Sequence, residues 1–486
     1  MAGRQKNLAG RLKRLRREGT GAGPAGARVI GSEPIETAGV EPTSANTQSS
    51  ARKFALGRLR ERLQGRGQAY GESSSGPRTQ PTCPTQLGPP KDLVSWEATH
   101  GTCQGREALL SGTDMHGDWR LQEAHLADPQ ALAIMAQDPR LLAASSGDAL
   151  FLDTETTGLA GGTGTWVFMV GLGRFRPDGT FELWQGFLPG PEAEKPFLHE
   201  VARRIGEAGT LVSFFGKSYD QHRLLDRFRL HGLPSPFENR RHLDLYHPLK
   251  RLCGGQGPGP YGDHKLQTLE RHLCGHQRVD DLPGSAAPEA WFDFLRGDPH
   301  RLEGVFHHNF LDVLSLVTLY GYLGQALTGR RGDGRPLSGS ELLRTLALVK
   351  SSCKGRDFSG ALRLRGAKDF PEGPLEQVLL LDRLRGECLL RTGATAEGEE
   401  LLESVHLRAQ GAEEPGERVK RSALESAQLL ARSAAGRQEL VRAAEAHQWA
   451  GTWLSRWPGL VSHQHAQERM GIRLDRSLLP RPAPGA

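Results

Sequence analysis

The chain of 486 residues has few of the features that would place it in a membrane or an oxidising compartment. Its six cysteines (Cys83, Cys103, Cys253, Cys274, Cys353, Cys388) lie far apart, and none forms a C-x-x-C pair. Neither a disulfide framework nor a structural zinc site is therefore expected. No stretch approaches the roughly 18 to 20 apolar residues of a membrane span. The opening run MAGRQKNLAGRLKRLRREG is charged, with no apolar segment behind it, unlike a secretory signal. These absences lead to the expectation of a cytoplasmic protein with no membrane partner.

What is abundant is glycine and proline, 61 and 30 residues, nearly a fifth of the chain. Long loops or tails are expected from that composition. The formal charge of +6 is unevenly placed. Residues 1–70 carry 14 Lys and Arg against 5 Glu and no Asp, a local excess of nine positive charges, and the body is nearly neutral. A basic segment attracts nucleic acid nonspecifically, or simply keeps a chain soluble.

The length predicts two or three folded units. Residues 1–92 read as a disordered basic segment rich in Gly, Pro and Ser, with short helical stretches near 6–18 and 51–64. Residues 93–328 read as one α/β unit with its core at 147–326, residues 329–340 as a linker, 341–470 as an all-α helical domain, and 471–486 as a tail. Within the α/β unit, DALFLDTE, WVFMVGLGRF and GTFELWQGFL predict three antiparallel strands, the last two joined by a turn at Pro177-Asp178-Gly179. A helix over 191–207, the strand TLVSFFG, a helix from Tyr219 to Leu230 and a short strand in HLDLYHPL follow. A long helix over 300–326 closes the unit, so helices are expected to flank a mixed sheet. In the helical region, KGRDFSGALRL and TGATAEGEELL align at an offset of 38 residues, which suggests tetratricopeptide-like hairpins or an ordinary bundle.

Asp153 and Glu155 stand two apart at the end of the first of these strands, so both carboxylates face one point. Like charges crowded there are relieved by hard divalent cations such as Mg2+. Asp220 follows a buried strand at the start of a helix, and Asp312 sits on an otherwise apolar helix, where an acid is costly to bury without a partner. Both are placed to join the pair.

This order of acids resembles the DnaQ-like (DEDD) exonucleases of the RNase H-like superfamily. DTETTGLAGGTG, FFGKSYD, HLDLYHPLKRL, LERHLCG and HNFLDVLSL resemble the YprB-type branch, which joins an RNase H-like domain to tetratricopeptide-like repeats. The resemblance covers about residues 90–330 and, loosely, 340–460. It implies a 3′–5′ exonuclease hydrolysing the phosphodiester bonds of DNA or RNA with two Mg2+ or Mn2+ ions, held by Asp153, Glu155, Asp220 and Asp312. One DnaQ-like subclass has a histidine five residues before the last aspartate, and another has a tyrosine four before. His307 and His308 stand at those spacings. On a helix His308 lies about 40° from Asp312 and His307 about 140° away, which favours His308 as the base. If the helix starts late, His307 takes that place.

Lys217 is a candidate for a substrate phosphate, Asp244 for shaping the site, and the Gly161–Gly164 loop for a close approach to a nucleotide. Two rival readings share these residues: a nucleic-acid-binding scaffold that has lost turnover, and a structure-specific endonuclease. The helical region is expected to recruit a protein partner or brace the substrate.

Overall fold

The computed structural model describes residue 90 and residues 92–478, apart from 159–163, 255–259 and 456–460. The basic segment with its two helical stretches, most of the glycine loop at 161–164 and the last eight residues lie outside the described residues.

Nine strands form among the described residues: β1 (Val94–Ala98), β2 (Gly101–Leu110), β3 (Met115–His116), β4 (Trp119–Arg120), β5 (Ala149–Thr156), β6 (Val167–Phe175), β7 (Phe181–Phe187), β8 (Thr210–Ser213) and β9 (Arg241–Asp244). β3 pairs with β4 alone, and the other seven make one sheet in the order β1-β2-β7-β6-β5-β8-β9. β8 runs parallel to both β5 and β9, and the remaining pairs are antiparallel. The sheet is thus mixed, as expected, but wider. The β1–β2 hairpin extends it beyond β7, through a stretch for which the sequence pattern predicts no strand.

The helices of this unit are α1 (Pro129–Ala136), α2 (Glu194–Gly206), α3 (Asp220–Leu230), α4 (Tyr246–Leu252), α5 (Leu266–Leu269), α6 (Ala287–Leu295) and α7 (Leu302–Gly324). HLDLYHPL is strand only as far as Asp244. The Asp244 carboxylate accepts the N–H of Tyr246 at 3.1 Å, and the chain turns into α4 instead of continuing extended. Every residue of β7 is buried, which requires cover on both faces. Trp184 stacks under Arg204 of α2, while its neighbour Gln185 bonds Phe306 and Asn309 of α7. Adjacent strand residues point oppositely, so α2 and α7 lie on opposite faces.

α7 is apolar nearly all round, with Val313, Val317, Leu319 and Leu323 fully buried, as a core helix must be. Its close approach to the sheet depends on two glycines of β6. A Cβ on Gly171 would lie 2.3 Å from the Asn309 amide oxygen, and one on Gly173 2.7 Å from Val313. The absence of those side chains brings the polar face of α7 onto the end of β5, and that contact positions the site.

Beyond this unit the chain is helical: α8 (Glu341–Lys354), α9 (Phe358–Arg363), α10 (Leu375–Thr392), α11 (Thr395–Gln410), α12 (Glu417–Gly436), α13 (Leu440–Ser455) and α14 (Val461–Leu478). α10 to α13 pack successively around Leu379, Val405, Leu424 and Trp453. The two segments that align at 38 residues head helices of unequal length, six residues in α9 and sixteen in α11. Ala347 and Leu348 of α8 join the same core as Leu316 and Leu319 of α7. Among the described residues no helix is long and apolar enough to cross a membrane.

Candidate active site

β5 begins as the buried run Ala149-Leu150-Phe151-Leu152 and ends in Asp153-Thr154-Glu155-Thr156. Asp153 pairs with Gly171 of β6, and the register shifts at Glu155–Thr156, so the acids sit where the ladder starts to open. On the facing helix α7, His308, Asn309 and Asp312 occupy one side, as spacings of three and four residues dictate. Asn309 donates to Asp153 at 2.8 Å. Its amide is oriented by Gln185, which donates to the Asn309 oxygen at 2.8 Å, and Arg106 in turn donates to Gln185 at 2.8 Å.

Single ligand atoms of Glu155, His308 and Asp312 all lie within 4.8 Å of one another. Asp220, at the first turn of α3, accepts a hydrogen bond from Thr154. The chain before it is held by Tyr219, whose hydroxyl donates to the Gly158 carbonyl at 2.9 Å and lies 2.7 Å from Thr156 Oγ1. The four acids expected to converge are therefore brought together from β5, α3 and α7.

Their electrostatics reflect that crowding. Burial, then the nearby charges of Asp312, Glu155 and Asp220, raises the Asp153 pKa well above the usual carboxylate range. Glu155 is pushed up to about 8, chiefly by burial with Asp312 and Asp220 adding to it, against the opposing pull of His308. Asp220 rises to about 6, again mainly through burial, with the Thr154 bond opposing. Such a set of oxygens, short of compensating charge, suits hard divalent cations. The donors present thus fit a divalent-metal site.

The two histidines separate. His308 is buried, with Nε2 3.5 Å from Asp312 and Nδ1 2.8 and 2.9 Å from the two Asp281 oxygens. Burial would lower its pKa, but Asp312, Asp281 and Glu155 more than reverse this and hold it at about 9. His307 faces solvent. Lys217 is exposed, and its backbone N–H donates to Asp244 at 3.2 Å. Asp244 also accepts from the backbone N–H of Phe215 at 2.8 Å, so it braces the loop before Asp220.

Sequence reasoning missed the counter-charge. Arg278 donates to Asp312 at 2.6 Å, to Asp281 at 3.0 Å and to both oxygens of Glu270 at 2.6 and 2.9 Å. Burial opposes its charge, but Asp312 and Glu270 outweigh burial and raise its pKa. Glu270 opens a π turn (Glu270–Cys274), and Arg278 lies in the irregular stretch behind it, where no periodic pattern marked either residue. Asn309 was legible in principle, three residues before Asp312 on the same helical face.

The matched family model is that of the RNase H superfamily, over residues 150–324, which spans β5 to the end of α7. The chain carries an RNase H-like domain. Over 193 residues it is 36% identical to the "Uncharacterized protein YprB" of Bacillus subtilis (strain 168), a match that takes in 36% of this chain. The chain spans 42% of that relative's length. Among solved structures it resembles the family B DNA polymerase of the hyperthermophilic archaeon Pyrobaculum calidifontis, at 17% identity and a TM-score of 0.30. That likeness covers 49% of this chain and 29% of the polymerase chain, and is too slight to bear on function.

Proposed function

We propose that the RNase H-like domain is a divalent-metal-dependent nuclease, a 3′–5′ exonuclease on DNA or RNA. The observation that carries this reading is the convergence of Asp153, Glu155, Asp220 and Asp312 beside a buried histidine, each of the first three acids held above its ordinary pKa. The four carboxylates would hold two Mg2+ or Mn2+ ions. When bound, such ions make hydroxide easier to form from water and offset the charge that builds on the phosphate and leaving oxygen.

The protein's own groups do the rest. Asn309 fixes the Asp153 carboxylate, and Thr154 fixes that of Asp220. Asp281 engages Nδ1 of His308 and orients the ring with Nε2 beside Asp312. With ions bound, the Asp312 and Glu155 charge that holds the imidazole at about 9 would be offset, and Nε2 would be free to take a proton from the attacking water. Arg278 holds Asp281 and Asp312 at once, so the base and a carboxylate of the cluster move as one unit. His307, on the solvent side, is left for substrate contact, as is Lys217. The helices α8 to α14 would form a tetratricopeptide-like scaffold for a protein partner, and the basic segment would add nonspecific affinity for the phosphate backbone.

The test is a time course on 5′-labelled linear, 3′-blocked and circular strands of DNA and RNA, with Mg2+, Mn2+ or chelator. Stepwise shortening of free 3′ ends with metal is the expected outcome. Cutting of circles would turn the reading toward an endonuclease, and binding without cleavage toward a scaffold.

A further inference from the structure

Between β8 and α3 the chain passes through Phe214-Phe215-Gly216-Lys217-Ser218-Tyr219. Phe215 has φ +61°, a left-handed conformation that bulky residues rarely adopt. The residue is 43% exposed. A single exposed phenylalanine would call for no explanation. Here the backbone is held in its unusual state on both sides. Asp244, itself buried, accepts the Phe215 N–H at 2.8 Å, and the Phe215 carbonyl accepts the N–H groups of Ser218 and Tyr219 at 3.2 Å each. The fold constrains a residue in a costly conformation and presents a large apolar ring to water.

The ring has aromatic company. Tyr246 lies edge-on with centroids 5.0 Å apart, and His247, exposed, lies 6.4 Å from Phe215 and 5.1 Å from Tyr246. Lys250 Nζ is 5.5 Å from the centre of the Tyr246 ring, and Lys217 is exposed two residues beyond Phe215. The group also adjoins the acids. A Cβ on Gly216, the next residue, would lie 3.0 Å from an Asp220 carboxylate oxygen. Exposed aromatic faces with cations beside them are what proteins use to hold single strands, because every base offers a face to stack and every nucleotide a phosphate.

We propose that Phe215, flanked by Tyr246 and His247, is a platform on which one base of a single-stranded nucleic acid stacks beside the acidic cluster, with Lys217 and Lys250 along the phosphate backbone. This rests on the nuclease reading and narrows its substrate to single strands, since a base inside a duplex has both faces covered by its stacked neighbours.

The test is binding by the full chain, in chelator so that no cleavage occurs, of a thymidine 10-mer and of an abasic 10-mer of equal charge. One stacked base is worth about 5- to 150-fold in affinity. The wild-type protein should prefer the thymidine strand by a ratio in that range. Phe215→Asn should lose most of the ratio while leaving abasic binding unchanged, and Phe215→Trp should keep it. Asparagine suits left-handed backbone, so Phe215→Asn is expected to fold at least as well, and a melting curve checks this. Lys217→Ala should weaken both strands alike. An unchanged ratio in Phe215→Asn, or no ratio in the wild-type protein, overturns the platform. Binding with the expected ratio but no metal-dependent cleavage would instead overturn the nuclease reading and leave the platform standing.

Discussion

Arg278 and Asp312 are joined by a 2.6 Å hydrogen bond between a guanidinium and a carboxylate that are both largely buried. Because Arg278 also holds Glu270 and Asp281, its loss would take a cation from three acids at once and leave His308 as the charge beside Asp281 and Asp312. Breaking a buried pair from one side typically costs about 3–5 kcal/mol. Arg278→Ala should therefore lower the unfolding free energy from urea titration by an amount of that order, with a lower midpoint, and Arg278→Lys should recover only part. A midpoint within error of wild type would show that Arg278 is not the electrostatic keystone of α7.

The same bond illustrates what the sequence disclosed. The acids were legible because each closes a recognisable pattern: an apolar strand before Asp153, another before Asp220, and an apolar helix around Asp312. Arg278 and Asp281 sit between the π turn and α6 in HQRVDDLPG, where no repeat fixes a face and only the tertiary fold brings them to α7. The β1–β2 hairpin was hidden likewise. Its residues are exposed or half-buried except Cys103 and Gly105, so the apolar alternation that marks a strand is faint. The choice between His308 and His307 followed from helical angle alone, and the structure puts His308 beside Asp312 with His307 facing solvent.

His308→Ala should lower the cleavage rate by roughly 10² to 10⁴, the usual share of a general base, with a smaller effect on KM. His307→Ala should change it little. Asp281→Asn should fall between them, since it removes the orienting acceptor but leaves Nε2 in place. Single-turnover rates at saturating metal test the ranking, and equal losses in both histidine variants would contradict it.

Stability of the metal-free protein should fall as pH rises above neutrality. Asp220 and Glu155 have folded pKa values of about 6 and 8, above their ordinary values, so the folded state holds their protons more tightly. That contribution is fully present below about pH 4 and is lost as pH climbs through 6 and 8. His308, raised to about 9, adds a loss of the same sign above about pH 6.5. In chelator, Tm should drop by several degrees between pH 7 and 8.5, above the range in which the buried neutral His116, His242 and His406, held at about 2, 3 and 4, still gain stability with rising pH. Mn2+ should reverse the drop, and Asp153→Asn should flatten it. A Tm that climbs across this window would contradict the crowded-acid picture.

Gly171→Ala should cost about 1–3 kcal/mol, because the new methyl group meets the Asn309 amide and Val313. If α7 gives way, Asn309 leaves Asp153, and cleavage should drop more than the loss of folded protein accounts for. Activity per folded molecule, measured well below Tm, separates the two effects.

The central claim is that the four converged acids form one metal-dependent cleavage site. Its most direct test is the rate at which purified wild-type, Asp153→Asn and Asp312→Asn proteins degrade a 5′-labelled single strand with Mn2+ and with chelator. The expected result is stepwise loss from the 3′ end by the wild-type protein with metal only, and none by either variant although both remain folded. Undiminished cleavage by both variants, or equal cleavage in chelator, would contradict the account.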